Sequence, residues 1–207
     1  MHKRIALLCI LVFGLVSGCA AAPAAQSLPT PVQRIRTYSQ IQGGTALTKS
    51  SELLAKIWNS YTGRERFAVF GGTPETAVAE GPGDLETADT EMLMGRFFLT
   101  REQTDRITEG AAMEHLLNRN VFCAAVFCLA EAKDAAGFAV QLRDSLENAR
   151  WLDGTPQRFL ITQPEEGFVL LAFGQTRVLD TFLIRMKQVF PQGKIWYYEE
   201  IVQKRGQ

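Results

Sequence analysis

Histidine and cysteine are scarce in this sequence, and its 22 aspartates and glutamates leave open a carboxylate pair for glycoside chemistry, which only their separation in space could identify. The 207 residues include two histidines, and His2 lies in an N-terminal segment that we expect to be removed. Any Ser-His-Asp triad would be centred on His115, and no serine lies in the glycine-framed turn that hydrolases use. Asn118 follows His115 by three residues, a spacing that places both side chains on one side of a helix. We therefore predict no catalytic residue and take His115 and Asn118 as candidate binding residues; a partly buried structural histidine is the alternative.

The N-terminal segment has the pattern of an export signal. Lys3 and Arg4 precede an apolar run from Ile5 to Val16. A membrane-spanning helix needs about 20 apolar residues, whereas the apolar part of a signal peptide needs about 7 to 15. The sequence therefore predicts a signal peptide rather than a transmembrane helix.

Cys19 follows this segment and is the cysteine with the clearest predicted chemistry. The sequence Val-Ser-Gly-Cys at 16–19 resembles the bacterial lipobox, in which an aliphatic residue, a small residue and a glycine or alanine precede the cysteine. The resemblance implies thioether lipidation of Cys19, removal of residues 1–18 and acylation of the new amino terminus. Ordinary secretory cleavage near the alanines at 20–22 is the alternative. Lipidation would hold the protein on the outer face of a cell membrane, because two acyl chains anchor stably where one does not.

Cys123 and Cys128 are the cysteines that remain in the folded body, since Cys9 leaves with the signal peptide. Both lie in the apolar segment 121–130, which we predict to contain a strand. Their spacing puts them on opposite faces, about 16 Å apart at ~3.3 Å per residue, too far for a disulfide. We predict two buried free thiols; redox sensing or metal binding are the alternatives. The residue pattern predicts no metal site and no cofactor.

The charge balance limits the classes of partner. The chain has 22 basic and 22 acidic residues, and loss of Lys3 and Arg4 would leave a slightly acidic body. Nucleic-acid binding usually needs a clustered basic surface, so the composition argues against it. Acidic residues are concentrated in the segment 75–91, which contains no lysine or arginine. It lacks the spacing of an EF-hand calcium loop, so we predict a solvated loop and a candidate contact region.

The first part of the folded domain is predicted to be mainly helical. Residues 19–48, rich in proline and alanine at their start, are predicted to be a flexible tether, and a single domain then spans 49–207. Its N-terminal part, 49–120, contains one predicted short strand at 67–70. Apolar spacing and N-caps predict helices at 51–61, at 91–98 and from Thr100 through Asn118.

Residues 121–207 alternate between strands and helices. The predicted strands are 121–129, 158–162, 168–173 and 195–199, and the predicted helices begin after Asp134 and at Thr176. This order is that of the split βαβ, ferredoxin-like unit. We therefore predict an α+β domain whose C-terminal half is a ferredoxin-like βαββαβ two-layer sandwich. The scaffold indicates no activity by itself, because it hosts many functions.

Short motifs are scattered between residues 50 and 190. They are Phe70-Gly71-Gly72, Pro82-Gly83-Asp84-Leu85, His115 with Asn118 to Phe122, Trp151-Leu152-Asp153-Gly154 and Ala172-Phe173-Gly174. Together they resemble a family of small lipoproteins from anaerobic Gram-positive bacteria with a domain of unknown function. The resemblance implies an anchored, extracytoplasmic protein, and it implies no activity, cofactor or catalytic residue. Trp151 is the third candidate binding residue.

We expect a membrane-anchored, extracytoplasmic binding or interaction module. Its expected partners are the membrane, through the lipid, and an unknown protein or small molecule. The aromatic residues at 196–198 (Trp-Tyr-Tyr) are a further candidate contact region, with packing in an edge strand as the alternative. A hydrolase that acts on envelope material through His115 and a structural subunit of an envelope complex are the other hypotheses. A polar pocket containing His115 would favour the hydrolase, and a large exposed apolar patch would favour the subunit.

Overall fold

The computed structural model describes residues 36–37, 48–151 and 154–202. The predicted signal peptide, Cys19 and the predicted tether, apart from 36–37 and Thr48, lie outside the described residues. All described residues belong to one compact unit that spans 33–207. No helix within the described ranges is long and apolar enough to cross a bilayer.

The described part of the chain contains nine strands and five α-helices. The strands are β1 (Arg36–Thr37), β2 (Val69–Gly71), β3 (Val78–Ala79), β4 (Gly83–Asp84), β5 (Ile107–His115), β6 (Phe122–Leu129), β7 (Arg158–Gln163), β8 (Phe168–Gly174) and β9 (Lys194–Glu200). The helices are α1 (Lys49–Asn59), α2 (Thr90–Phe97), α3 (Arg101–Thr104), α4 (Ala135–Glu147) and α5 (Thr176–Val189). The prediction of a mixed α+β domain is confirmed.

The strands form a single sheet in the order β1-β3-β2-β5-β6-β8-β7-β9, and β4 also pairs with β5. The pair β1 and β3 is parallel, and the other pairs are antiparallel. Strand β6 lies near the middle, between β5 and β8. Its residues are apolar at both parities because helices cover both faces of the sheet at this point.

Two apolar cores lie on the two faces of the sheet. In β6, the odd-numbered residues 123–129 belong to the first core, and the even-numbered residues 122–126 belong to the second. Helices α2 and α4 cover the first face with Leu93, Phe97, Phe138, Leu142 and Leu146. Helices α1 and α5 cover the second face with Leu53, Ile57, Trp58, Leu179, Phe182 and Met186. The domain therefore has three layers, with the sheet in the middle.

The ferredoxin-like two-layer prediction for 121–207 is wrong in strand order and in layering. A ferredoxin-like unit places both helices on one face and its fourth strand beside the first. Here α4 and α5 cover opposite faces, and the fourth strand of the unit, β9, pairs with β7 rather than β6. The free side of β6 is occupied by β5, which comes from outside the predicted unit.

Strand β5 also corrects the prediction that 49–120 is mainly helical with one short strand. A helix from Thr100 to Asn118 was expected, but helix α3 ends at Thr104, and residues 107–115 pair with β6. The segment is rich in alanine, methionine and glutamate, which favour a helix in isolation. Pairing with a central strand and burial on both faces outweigh that local preference.

The motifs at 70–72 and 82–85 mark a place where two backbones touch. A Cβ on Gly71 would lie 2.3 Å from the Gly83 backbone nitrogen and 2.4 Å from the Gly81 carbonyl oxygen. A Cβ on Gly83 would lie 2.7 Å from the Gly72 nitrogen. Only glycine permits this approach. It places β2 and β4 next to each other, where both pair with β5.

An ion pair between Glu65 and Arg185 predicts a loss of stability in acid. Arg185 Nη2 lies 2.7 and 2.6 Å from the two carboxylate oxygens of Glu65, and Thr62 donates its backbone N–H to Glu65 Oε2 at 2.7 Å. The Arg185 hydrogen bonds, followed by those from Thr62, lower the pKa of Glu65 from 4.5 to about 2. Because the folded state holds the carboxylate ionised, this contribution to stability is present above pH 4.5 and is lost as the pH falls towards 2.

We expect the difference in Tm between the wild type and Glu65→Gln to shrink as the pH is lowered from 7 to 2.5. Calorimetry at several pH values measures this difference. A difference that stays constant over the range would contradict the assigned role of the ion pair.

Candidate functional site

The connection between β5 and β6, residues 116–121, forms one wall of the candidate site. Leu116 donates its backbone N–H to the Ala68 carbonyl at 2.9 Å, and Val121 donates to the Asn118 carbonyl at 3.0 Å. Asn120 donates its side-chain amide to the Gly154 carbonyl at 2.8 Å. The connection is therefore held to the neighbouring segments and does not depend on its own residues alone.

His115 organises the start of this connection. Its Nδ1 accepts backbone hydrogen bonds from Leu117 at 3.2 Å and from Asn118 at 3.3 Å. Its ring stacks on Phe67, with ring centroids 5.6 Å apart and an interplanar angle of 24°. The expectation that His115 and Asn118 share one side of a helix is wrong: His115 is the last residue of β5, and Asn118 lies in the connection that follows.

A cleft of about 460 Å³ opens beside the connection. Its lining residues are Gly95, Phe98, Leu117, Asn118, Arg119, Asn120, Arg150 and Trp151. Two of the three candidate binding residues, Asn118 and Trp151, therefore line one cavity. His115 is outside the lining and acts on the cleft only through the backbone of the connection.

Aromatic rings form the floor of the cleft. The Trp151 ring centroid lies 4.4 Å from that of Phe98 and 5.0 Å from that of Phe173. Phe98 ends α2 in the left-handed conformation, with φ of 60°, which is uncommon for a bulky residue and is often found at functional sites. Trp151 Nε1 is buried and has no hydrogen-bond partner among the described residues.

The cleft is positively charged. Arg119 and Arg150 line it, and no aspartate or glutamate is among its described lining residues. Behind the lining, Glu114 Oε2 lies 3.6 Å from Arg96 Nη2 and 3.9 Å from Arg119 Nε. These separations allow charge attraction but exceed hydrogen-bond length, so one carboxylate partly neutralises two guanidinium groups. The three arginines and the one glutamate leave an excess of positive charge.

Arg119 is held in place by contacts on two sides. Its guanidinium carbon lies 5.4 Å from the ring centroid of Phe173, and its Nη2 donates to the Arg96 carbonyl oxygen. Arg96 in turn donates from Nη1 to the Gly72 carbonyl at 2.9 Å. The Arg119 charge is therefore positioned before a ligand binds, which lowers the entropic cost of binding.

The described residues contain no cluster of three or more histidine, cysteine, aspartate or glutamate side chains that could hold a metal ion. Cys123 and Cys128 are free thiols, and their predicted placement on opposite faces is confirmed. Burial raises the pKa of Cys123 to about 12, so its reactive thiolate form is suppressed. The hydrogen-bond partners of His115 Nδ1 are backbone amides rather than the carboxylate or hydroxyl that the hydrolase hypothesis requires.

The other two candidate contact regions are part of the fold. The acidic segment 75–91 contains β3, β4 and the start of α2, and Asp84 accepts hydrogen bonds from Thr48 Oγ at 2.6 Å and from Ser51 Oγ. The aromatic residues 196–198 lie in β9, where they pack against the two cores. The edge-strand interpretation of these aromatics is confirmed.

The arginines and Phe98 of the site were not found by sequence reasoning. The lining comes from the end of α2, the β5–β6 connection and the segment that follows α4. The available signals were the polar run at 118–120, directly before a strand, and the Arg150–Trp151 pair after a helix. Neither signal shows that the two segments meet.

We expect His115→Phe to loosen the connection while retaining the stack on Phe67. Phenylalanine has no acceptor for the Leu117 and Asn118 N–H groups, so these amides should exchange with solvent about fivefold faster, since a hydrogen bond contributes about 1 kcal/mol. Hydrogen exchange of the native protein measures this rate. Phe67→Leu, which removes the stack but keeps the acceptor, is the control. Unchanged exchange in His115→Phe would contradict the positioning role.

Comparison of the chain with protein-family models, with curated proteins and with solved structures finds no match.

Proposed function

We propose that this protein is a lipid-anchored, extracytoplasmic binding module whose cleft binds a small anionic ligand. The observation that carries the ligand class is the charge of the cleft: Arg119 and Arg150 line it, and its described lining contains no carboxylate. Arginine is suited to this role because its planar guanidinium binds carboxylates and phosphates through two parallel hydrogen bonds.

The remaining lining groups complement such a ligand. Asn118 lines the cleft and can both donate and accept hydrogen bonds. The volume of about 460 Å³ falls within the range of small-molecule sites. The aromatic floor formed by Phe98 and Trp151 suits a ligand with an apolar part next to its charge.

The proposed location rests on the sequence around Cys19. The resemblance of residues 16–19 to a lipobox supports lipid attachment, and the scattered motifs of 50–190 support membership of a lipoprotein family. Mass spectrometry of the protein from its own host tests this part. An amino-terminal peptide without lipid that still carries residues 1–18 would contradict it.

Titration with inorganic phosphate at low ionic strength tests the ligand class. The indole N–H resonance of Trp151 should shift, and Arg150→Gln should weaken binding about threefold to tenfold, because an exposed charge-assisted hydrogen bond is lost. Lys187→Gln removes the same charge from an exposed position on α5, on the other face of the sheet, and should leave the affinity unchanged. Equal effects of the two substitutions would show that phosphate responds only to the net charge of the protein.

A further inference from the structure

The β5–β6 connection carries the most exposed large apolar side chain in the described ranges. Leu117 is 86% exposed, and its neighbour Leu116 is 58% exposed. Exposed leucines are ordinary when they occur singly, but two in succession on a short, well-held connection form an apolar projection. More than half of each side chain is exposed to solvent.

Arginines lie on both sides of the projection. Leu117 lines the cleft together with Arg119 and Arg150. Leu116 lines a second cavity, of about 630 Å³, together with Arg66. Arg66 is held there by a hydrogen bond of 3.3 Å from its Nη2 to the Trp58 carbonyl and by stacking over the Trp58 ring at 5.3 Å. The projection is therefore apolar at its apex and cationic on the side of the cleft, whereas on the other side Glu80 lines the second cavity and balances the charge of Arg66.

The connection is fixed before any partner binds. Leu116 is tied to Ala68, and Leu117 and Asn118 are tied to His115 Nδ1. A preorganised apolar apex loses little conformational freedom on insertion into another phase. The leucines lie outermost and the arginines lie behind them. This arrangement would place leucine among the acyl chains and arginine at the phosphates of a lipid surface.

We propose that Leu116 and Leu117 insert into the surface of an anionic phospholipid membrane while Arg119 and Arg150 hold a lipid phosphate in the cleft. The proposal deepens the function proposed above and rests on it, because the anion of the cleft becomes a lipid headgroup. The lipid on Cys19 would keep the protein near the membrane, and the leucine pair would set which end of the domain meets the bilayer. Anionic lipid is favoured over neutral lipid because each nearby arginine raises surface binding roughly fivefold.

Co-sedimentation of the full-length chain with vesicles tests the insertion. Vesicles of phosphatidylcholine alone are compared with vesicles that also contain phosphatidylglycerol. Leu116→Asn should lower the phosphatidylglycerol-dependent partition about tenfold, because an apolar side chain no longer leaves water. Ile184→Asn is the matched control, since Ile184 is 55% exposed on α5, and it should have no effect. The N-terminal segment is the same in all variants, and the variants are compared at lipid concentrations at which the wild type is only partly bound, so that a change in affinity is measurable.

Phosphate titration of the same variants separates the two proposals. Leu116→Asn should keep the wild-type affinity for inorganic phosphate, since Leu116 does not line the cleft and the cleft arginines remain, whereas Arg150→Gln should weaken both phosphate and vesicle binding. Unchanged vesicle binding in Leu116→Asn, with phosphate binding still dependent on Arg150, would overturn the membrane proposal and leave the anion site standing. If Arg150→Gln bound phosphate as tightly as the wild type does, both proposals would be overturned.

Hydrogen exchange shows whether the leucine pair contacts a membrane or a second copy of the chain. Protection of residues 116–121 should appear with phosphatidylglycerol vesicles and be absent with phosphatidylcholine vesicles. Protection that appears without vesicles and rises with protein concentration would assign the leucines to contact between two copies of this chain and overturn the proposal.

Discussion

Replacement of Gly174 with alanine is expected to lower the free energy of unfolding by about 3 kcal/mol or more. A Cβ at this position would lie 2.3 Å from the Val121 carbonyl oxygen and 2.9 Å from its carbonyl carbon. Both contacts are with backbone, so no side chain can move away to relieve them. Gly174 also pairs with Phe122, at the point where the central strands β6 and β8 meet.

The same substitution should damage the cleft. Val121 ends the β5–β6 connection, and its carbonyl accepts the Gln175 N–H at 3.0 Å. A displacement of Val121 would therefore move Asn118, whose carbonyl accepts the Val121 N–H. Urea unfolding measures the stability, and phosphate titration of the folded fraction measures the cleft.

Gly137→Ala is the matched control for Gly174→Ala. Gly137 lies within α4, and a Cβ there would have no atom within 4 Å. Alanine favours a helix over glycine, so this variant should gain about 0.5 to 1 kcal/mol. If both substitutions changed stability in the same direction, the close approach at Gly174 would not be the cause of its effect.

Replacement of Glu114 with glutamine is expected to destabilise the fold by about 1 to 3 kcal/mol and to tighten phosphate binding at the same time. The side chains of Arg96, Glu114 and Arg119 are 19%, 20% and 33% exposed. Removal of the carboxylate leaves two partly buried guanidinium groups without a counter-charge. This loss of stability is smaller than that expected for a fully buried ion pair, because solvent still screens these groups.

The opposite signs make this prediction specific. A loss of stability alone would follow from any damage to the core, but a few-fold gain in phosphate affinity requires that Glu114 opposes anions in the cleft. Glu102→Gln is the control, since Glu102 forms an exposed ion pair with Arg106 and should change stability by less than about 0.5 kcal/mol. Weaker phosphate binding in Glu114→Gln would contradict the electrostatic account of the cleft.

Local structure was predictable where the signal lies within a few neighbouring residues. The capping box of Thr100 and Gln103 is present, with both reciprocal hydrogen bonds. The Pro/Gly-containing connection after Gln163 joins an antiparallel pair of strands, β7 and β8, as predicted. The alternating burial that places Cys123 and Cys128 on opposite faces follows from the period of a strand. These features depend on backbone geometry over a few residues.

Structure that depends on distant pairing was not predictable in this way. Residues 107–115 have the composition of a helix and form a strand, because β6 offers a ladder of hydrogen bonds and two covered faces. The same pairing places β5 where a ferredoxin-like unit would place its last strand. Residues 107–115 therefore form a strand rather than a helix because of their pairing with β6, which lies outside the segment.

Periodicity, capping and residue type were enough to predict an α+β class, most helix starts, the β7–β8 hairpin and three candidate binding residues. The packing of the folded chain was needed to show that Asn118 and Trp151 line one cleft, that His115 holds its wall from outside, and that arginine supplies its charge. The physical reason is that a cleft is formed by the ends of elements far apart in the chain. Their meeting depends on which faces of the sheet the helices cover, and that is settled by packing rather than by local pattern.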